Sequence, residues 1–285
     1  MSDINIVGVV GCGLMGSGIV EVSARSGYTT IVREINDEAL SRGMERIHKS
    51  TGRAVKRGKL SEEGQKEILD RISGVTTVDG LSDCDLIVEA ATENLPLKIK
   101  IWEEIGKAKK DGALLATNTS SIPISKLAVA TGDPEGFMGL HFMNPVPVMK
   151  LVEIVRGLAT SDETYERGAN FIKSLGKDII TAKDTPGFVI NALLVPYLCE
   201  AMRMVESGVA TPEDIDKGMV GGCNMPMGPL TLADFVGLDT TLSIADVLFD
   251  EFKDPKYAAP PLLRRMVELG RYGRKSGRGF YDYSK

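Results

Sequence analysis

The apolar run Ile4–Val10 ends directly on Gly11-Cys12-Gly13-Leu14-Met15-Gly16, and Leu14, Gly18 and Val22 then follow at helical spacing. A strand, a tight glycine turn and a helix in immediate succession leave few folds open, because the helix must return against the strand it has just left. The glycines let backbone approach a pyrophosphate at the helix N-terminus, where unpaired N–H groups and the helix dipole favour an anion. Eighteen residues after Gly16, at the end of the next apolar run, stands Glu34. An acid there binds adenine ribose hydroxyls and repels a 2′-phosphate, so the expected cofactor is NAD, although the adjacent Arg33 pulls the other way. Glycines used only for a turn, beside a solvated Glu34, are the weaker reading, since strand, spacing and acid occur together.

The runs Tyr28–Val32, Asp85–Val88, Ala113–Ala116, Phe137–His141, Leu151–Val155 and Asp178–Thr181 continue the pattern, separated by amphipathic stretches such as Leu97, Ile101, Ile105 and Ala108. Such alternation predicts a parallel sheet covered on both faces. Asp184-Thr185-Pro186-Gly187 is a turn cluster in which Pro186 disfavours helical geometry at Thr185. Beyond it the spacing turns helical: Ile190, Leu193, Leu194, Tyr197, Leu198, Ala201, Met202 and Val205 form a wide apolar stripe. Further helices are expected at Pro212–Met219, behind a Thr211 cap, and at Leu230–Phe252 with a break near Gly237. The expected fold is α/β: a Rossmann-type, mostly parallel sheet over residues 1–183 that binds a dinucleotide, then a smaller all-helical domain over 184–285. The stripe needs a cover, either the first domain or a second copy of the chain.

Composition narrows the partners. A length of 285 residues with 43% hydrophobic and 26% charged residues suits a folded two-domain chain, and a formal net charge of −5 argues against a broad nucleic-acid or anionic-membrane surface. The uncharged stretch Ile4–Val20 is broken by Asn5, Ser17 and glycines, so it makes neither a spanning helix nor a signal core. The four cysteines are far apart and there are only two histidines, His48 and His141, so neither a disulfide framework nor a metal site is indicated and a reducing cytoplasm is expected.

Within this frame some residues suggest chemistry. His48–Lys59 holds Lys49, Arg53, Lys56, Arg57 and Lys59 without an acid. Crowding like charges on one helix face costs tenths of a kcal/mol per pair, which suits either a phosphate-bearing ligand or a solvated face. His141 ends one strand and Glu153 interrupts the next across the turn Asn144-Pro145-Val146-Pro147. A carboxylate inside an apolar strand needs a partner, and if the two strands lie side by side, His141 can supply it and act as a general base. A core histidine and an edge-strand glutamate are the alternative. Thr117-Asn118-Thr119-Ser120-Ser121 precedes Pro123 and reads first as a helix cap, but it also lies just past a strand's carboxyl end, where open α/β sheets bind ligands. Asn191 stands on an apolar helix face, where its amide needs a use such as a domain-interface hydrogen bond.

Taken together, Gly11–Gly16, Val88-Glu89-Ala90-Ala91-Thr92-Glu93, Asn118–Ser121, His141–Glu153, Asp184–Asn191, Pro226–Pro229 and Gly273–Tyr281 resemble the L-3-hydroxyacyl-CoA dehydrogenase family, particularly its short bacterial 3-hydroxybutyryl-CoA members, nearly from end to end. The resemblance implies that His141 is the catalytic base and Glu153 its orienting partner. It implies that Ser120 and Asn191 hydrogen-bond the reacting substrate, with Asn144 near both substrate and cofactor. Gly11, Gly13, Leu14, Met15, Gly16, Glu34, Ala91, Glu93, Lys98, Asn118, Ser120 and Lys275 fall at cofactor positions, and Ser50, Arg53 and Lys56 on the helix set against coenzyme A. The implied substrates are coenzyme A thioesters, acetoacetyl-CoA and 3-hydroxybutyryl-CoA, and the implied assembly is a homodimer or larger homo-oligomer. The chain departs from the family in carrying Cys12 for Ala, Glu34 for Asp and Met143 for Phe. The other readings are a dehydrogenase of a free hydroxy acid, against which the basic helix speaks, and a non-catalytic nucleotide-binding protein like lens lambda-crystallin.

Overall fold

The computed structural model describes residues 4–284, and its contacts divide the chain between Thr185 and Pro186 into two compact units. The first is built on one eight-stranded sheet of order β3-β2-β1-β4-β5-β6-β7-β8. Its strands are β1 (Ile6–Val10), β2 (Thr29–Arg33), β3 (Ile72–Val75), β4 (Leu86–Glu89), β5 (Leu114–Thr117), β6 (Phe137–Phe142), β7 (Leu151–Arg156) and β8 (Asp178–Lys183). The first six take the doubly wound order that places a dinucleotide at the point where the strand order reverses, between β1 and β4. β4 and β5 are buried along their whole length, as expected for strands covered on both faces. All pairings are parallel except β6 with β7. The carboxyl ends of β1, β4, β5 and β6 therefore share one edge, and the reversed β7 begins there.

The sequence gives no warning of β3. Its four residues include Ser73 and Gly74, both exposed, so this edge strand carries almost no apolar signal. The helices of this unit are α1 (Leu14–Arg25), α2 (Asp37–Lys56), α3 (Glu62–Asp70), α4 (Leu95–Ala108), α5 (Ile124–Ala128) and α6 (Asp162–Ser174). Asn36, Ser61, Asn94 and Ser161 cap four of them through their side chains. The expected cap of α5 by the Thr117–Ser121 segment does not form. Instead Asp184 accepts the N–H groups of Ile124 and Ser125, each at 2.7 Å. That bond makes Asp184 part of the first unit, so the division falls two residues beyond the expected 183/184 boundary.

The second unit contains α7 (Ile190–Glu206), α8 (Pro212–Cys223), α9 (Pro229–Val236), α10 (Leu238–Phe252) and α11 (Pro261–Glu268). Leu198, Ala201 and Met202 of the α7 stripe are buried in this unit's own core, while Leu193 is 72% exposed. α8 runs four residues past the expected Met219 and stops where Asn224 turns left-handed, at φ 54°. Two buried aspartates organise the end of the chain: Asp216 accepts Leu230 N, Thr231 N and Tyr281 OH, and Asp234 accepts the N–H groups of Phe280 and Tyr281. A Cβ on Gly228 or Gly279 would lie 2.2 or 1.9 Å from these carboxylates, so both glycines are needed for the close approach. Among the described residues no helix is long and apolar enough to cross a membrane, and no cluster of three or more His, Cys, Asp or Glu could hold a metal.

Candidate active site

At the end of β1 the three glycines answer to different constraints. A Cβ on Gly11 would stand 2.5 Å from Ala91 Cα, and one on Gly16 1.8 Å from Gly11 O, so the fold itself forbids both. A Cβ on Gly13 would meet nothing within 4 Å. Protein packing therefore gives no reason for glycine there. A group laid against the turn does, and Gly13 is the N-cap of α1 with no side chain closing the helix end. Leu14, 68% exposed, and Met15 open that helix. This cradle fits the pyrophosphate of a dinucleotide.

Glu34 follows β2 and reaches back to the turn: Oε1 accepts Cys12 N–H at 2.5 Å and Oε2 accepts Ile35 N–H at 3.1 Å. The longer acid thus keeps its charge beside the cradle, while Arg46 from α2 donates to Cys12 O at 3.3 Å. Cys12 fills space that Gly43 leaves open, and burial, assisted by the charge of Glu34, pushes its thiol up to about 12, so it is an inert packing group.

Behind the loops that follow β4 and β5 lies a buried polar network. Glu89 accepts Lys98 Nζ at 2.7 and 2.9 Å, Thr117 Oγ1 at 2.8 Å and Ala91 N–H at 2.8 Å. Lys98 is fully buried, and its Nζ also stands 3.8 Å from Glu93 Oε2. Glu93 in turn accepts Thr119 Oγ1 and Ser120 N–H, both at 2.7 Å. Lys98 thus stands between Glu89 and Glu93, and Glu93 in turn holds the Ser120 backbone. Asn118 links the same loop to β6, its Oδ1 accepting Phe142 N–H at 3.0 Å.

The antiparallel β6–β7 register sets His141 directly opposite Glu153. Nδ1 lies 2.6 Å from Glu153 Oε2, with His141 6% exposed and Glu153 fully buried. A carboxylate accepts, so Nδ1 donates to Glu153 and the ring is held with Nε2 on its other side. Glu153 thus has the partner its position in an apolar strand requires. The segment leading from β6 to β7 is braced by Lys177, whose Nζ donates to Val146 O and Met149 O at 2.7 Å, and whose pKa burial lowers.

Two adjoining cavities, of about 190 and 450 Å³, lie between α1, α2 and this segment. They bring Ser50 and Arg53 together with Asn144 at the smaller one, and add Arg25, Arg57 and Lys59 at the larger. Lys56 is exposed and lines neither. Sequence reading missed Glu21, which lines both cavities and is only 3% exposed. Its signal is a lone acid among Ile19, Val20 and Val22 on α1. Burial pushes its carboxyl above the usual range, against a hydrogen bond from Ser50 and the charges of Arg25 and Arg53.

Two expected site residues belong to the second unit. Asn191 is buried in the first turn of α7, and Lys275, in the short turn Arg274–Ser276, donates to Asp239 Oδ2 at 2.5 Å.

Comparison with known proteins follows the same division of the chain. Residues 6–185 match the model of the 3-hydroxyacyl-CoA dehydrogenase NAD binding domain, and residues 187–283 match that of the 3-hydroxyacyl-CoA dehydrogenase C-terminal domain. A 3-hydroxybutyryl-CoA dehydrogenase of Mycobacterium tuberculosis is 52% identical over 99% of this chain and 100% of its own. The crystal structure of M. tuberculosis FadB2 is similar at a TM-score of 0.97 and 51% identity, covering 98% of this chain and 99% of that one. That of (S)-3-hydroxybutyryl-CoA dehydrogenase PaaH1 from Ralstonia eutropha gives 0.95 and 47%, covering 99% and 100%. With both of its units matched and a full-length relative at 52% identity, the chain belongs to the 3-hydroxyacyl-CoA dehydrogenase family.

Proposed function

We propose that this protein is an NAD-dependent (S)-3-hydroxyacyl-CoA dehydrogenase for short acyl chains, interconverting 3-hydroxybutyryl-CoA and acetoacetyl-CoA. The observation that carries the reading is the buried His141–Glu153 couple at the sheet edge that also holds the glycine cradle. In the oxidation direction His141 Nε2 takes the hydroxyl proton, and the negative Glu153 stabilises the imidazolium that forms. Gly11–Gly16 would hold the pyrophosphate of NAD and Glu34 its adenine ribose, and the bound cofactor would supply the hydride acceptor. Ser120 and Asn191 hydrogen-bond the substrate oxygen as it becomes a carbonyl, and Asn144 borders both molecules. Ala91, Glu93, Lys98 and Asn118 shape the cofactor side, and Lys275 is a further cofactor position by family resemblance. Ser50, Arg53 and the neighbouring cations receive the phosphates of coenzyme A, a role that suits a crowded basic helix better than a solvated face does. Lys56, exposed on the same helix outside both cavities, adds its charge to that surface. The first unit serves as the dinucleotide domain and the second as the substrate and dimerisation domain of a cytoplasmic homodimer, whose contact includes the exposed Leu193.

The test is to mix the purified protein with acetoacetyl-CoA and follow the loss of reduced-nicotinamide absorbance, with NADPH and free acetoacetate as parallel arms. Turnover with NADH and the thioester alone is expected. Turnover with NADPH overturns the role of Glu34, activity on free acetoacetate favours a hydroxy-acid dehydrogenase, and no turnover with intact NADH binding favours a non-catalytic protein. His141→Ala is expected to lower turnover by about 10²–10⁴-fold while leaving NADH binding nearly intact. Loss of both together would make His141 structural.

A further inference from the structure

Glu21 has no part in the mechanism above, yet it is an acid in the middle of a basic cavity. It is buried on α1 and lines both cavities together with Ser50 and Arg53, and Arg25 joins them at the larger one. Ser50 and Arg53 stand three apart on α2, and Glu21 and Arg25 four apart on α1, so the acid lies where the two helix faces meet. As a stabilising device this is a poor choice. A buried charge is costly to desolvate, and apolar residues of similar size fill such places at no loss of stability. As a device for organising cations it makes sense. Arg25, Arg53, Arg57 and Lys59 are exposed around the larger cavity and repel one another, and a buried anion among them offsets that repulsion.

We propose that Glu21 is a positioning residue for the substrate: it holds Ser50 and Arg53 ready to receive the phosphate-bearing arm of a coenzyme A thioester. This rests on the reading of the substrate given above. The gain is preorganisation, since side chains already fixed lose less entropy when the arm binds, and the negative charge of Glu21 sets the spacing of cations that would otherwise be too close.

Acetoacetyl-CoA and the N-acetylcysteamine thioester of acetoacetate separate this role from packing, because the second lacks the phosphate-bearing arm. Glu21→Ala is expected to raise KM for acetoacetyl-CoA about tenfold, the effect of losing a charge-assisted contact, with KM for the truncated thioester and for NADH changed less than about twofold. An unchanged KM for acetoacetyl-CoA overturns the proposal. So does an equal rise with both thioesters, which would make Glu21 a packing residue. Should Glu21→Ala not fold, Glu21→Gln carries the test. With one acceptor replaced by a donor it cannot hold Ser50 and Arg53 together, and KM is expected to rise about threefold or more for the coenzyme A ester alone, an unchanged value again overturning the idea. Wild-type protein that turns over neither thioester would refute the substrate assignment itself, a result distinct from any change specific to Glu21.

Discussion

A methyl group gives opposite results at two glycines three residues apart. Gly16→Ala would drive a Cβ into the Gly11 carbonyl, whereas Gly13→Ala has empty space before it. Gly13→Ala is therefore expected to melt at the wild-type temperature but to bind NADH about tenfold more weakly by fluorescence titration, while Gly16→Ala loses the fold along with binding. The buried couple makes a second demand at this scale. Glu153→Gln leaves the strands paired but removes the charge that fixes the imidazole tautomer, and kcat is expected to fall on the order of 10²-fold or more with NADH affinity unchanged. This pair was legible in the sequence because its two members flank one turn. Glu21 and Glu89 were not, because each is an acid inside an apolar segment whose partners, Ser50 and Lys98, sit on other elements. Only the fold says which distant residues make such acids tolerable.

Elements here are held by carboxylates at their ends. Asp184 caps α5 from 60 residues away, which no local pattern announces, whereas Thr211 caps α8 from the adjoining position and was readable. Asp184→Ala is expected to cost about 1–2 kcal/mol in urea denaturation, the price of two orphaned N–H groups. Asp85 joins three elements: Oδ2 accepts the N–H groups of Asn5 and Ile6 at the start of β1, and Oδ1 pairs with Lys110 beyond α4. Burial alone would raise its pKa, but the Lys110 hydrogen bond and the two backbone donors outweigh it and hold the carboxyl below its ordinary 3.8. The folded state therefore binds a proton less readily than the unfolded one. Its stabilisation is present above pH 3.8 and is lost as pH falls through the lower folded value. Thermal melts should show Asp85→Asn less stable than wild type near neutrality, with the gap closing in acid below that range. Apolar spacing placed α1, α4 and α7, but α3, α6 and α11 were not singled out, and β3 escaped because a short edge strand with two exposed small residues has no periodicity to read.

For the whole molecule, the alternation of apolar runs and helical stretches was enough to foresee a doubly wound sheet followed by helices. What lies outside such patterns is assembly. If the second unit forms the homodimer contact, Leu193→Asp should shift the protein from dimer to monomer in size exclusion with light scattering, and an unchanged mass would remove Leu193 from the interface. The reversal of the sheet at β6–β7 has a consequence for how such an enzyme can change. His141 and Glu153 ride on one hairpin, and their alignment is dictated by the backbone ladder that pairs residues 139–142 with 152–155. The connecting segment 143–150, which carries Asn144 and borders the two cavities, does not itself set that alignment. It can be lengthened, shortened or rewritten while the paired strands keep His141 facing Glu153, so what borders the cavities and what aligns the couple are separable parts of one hairpin.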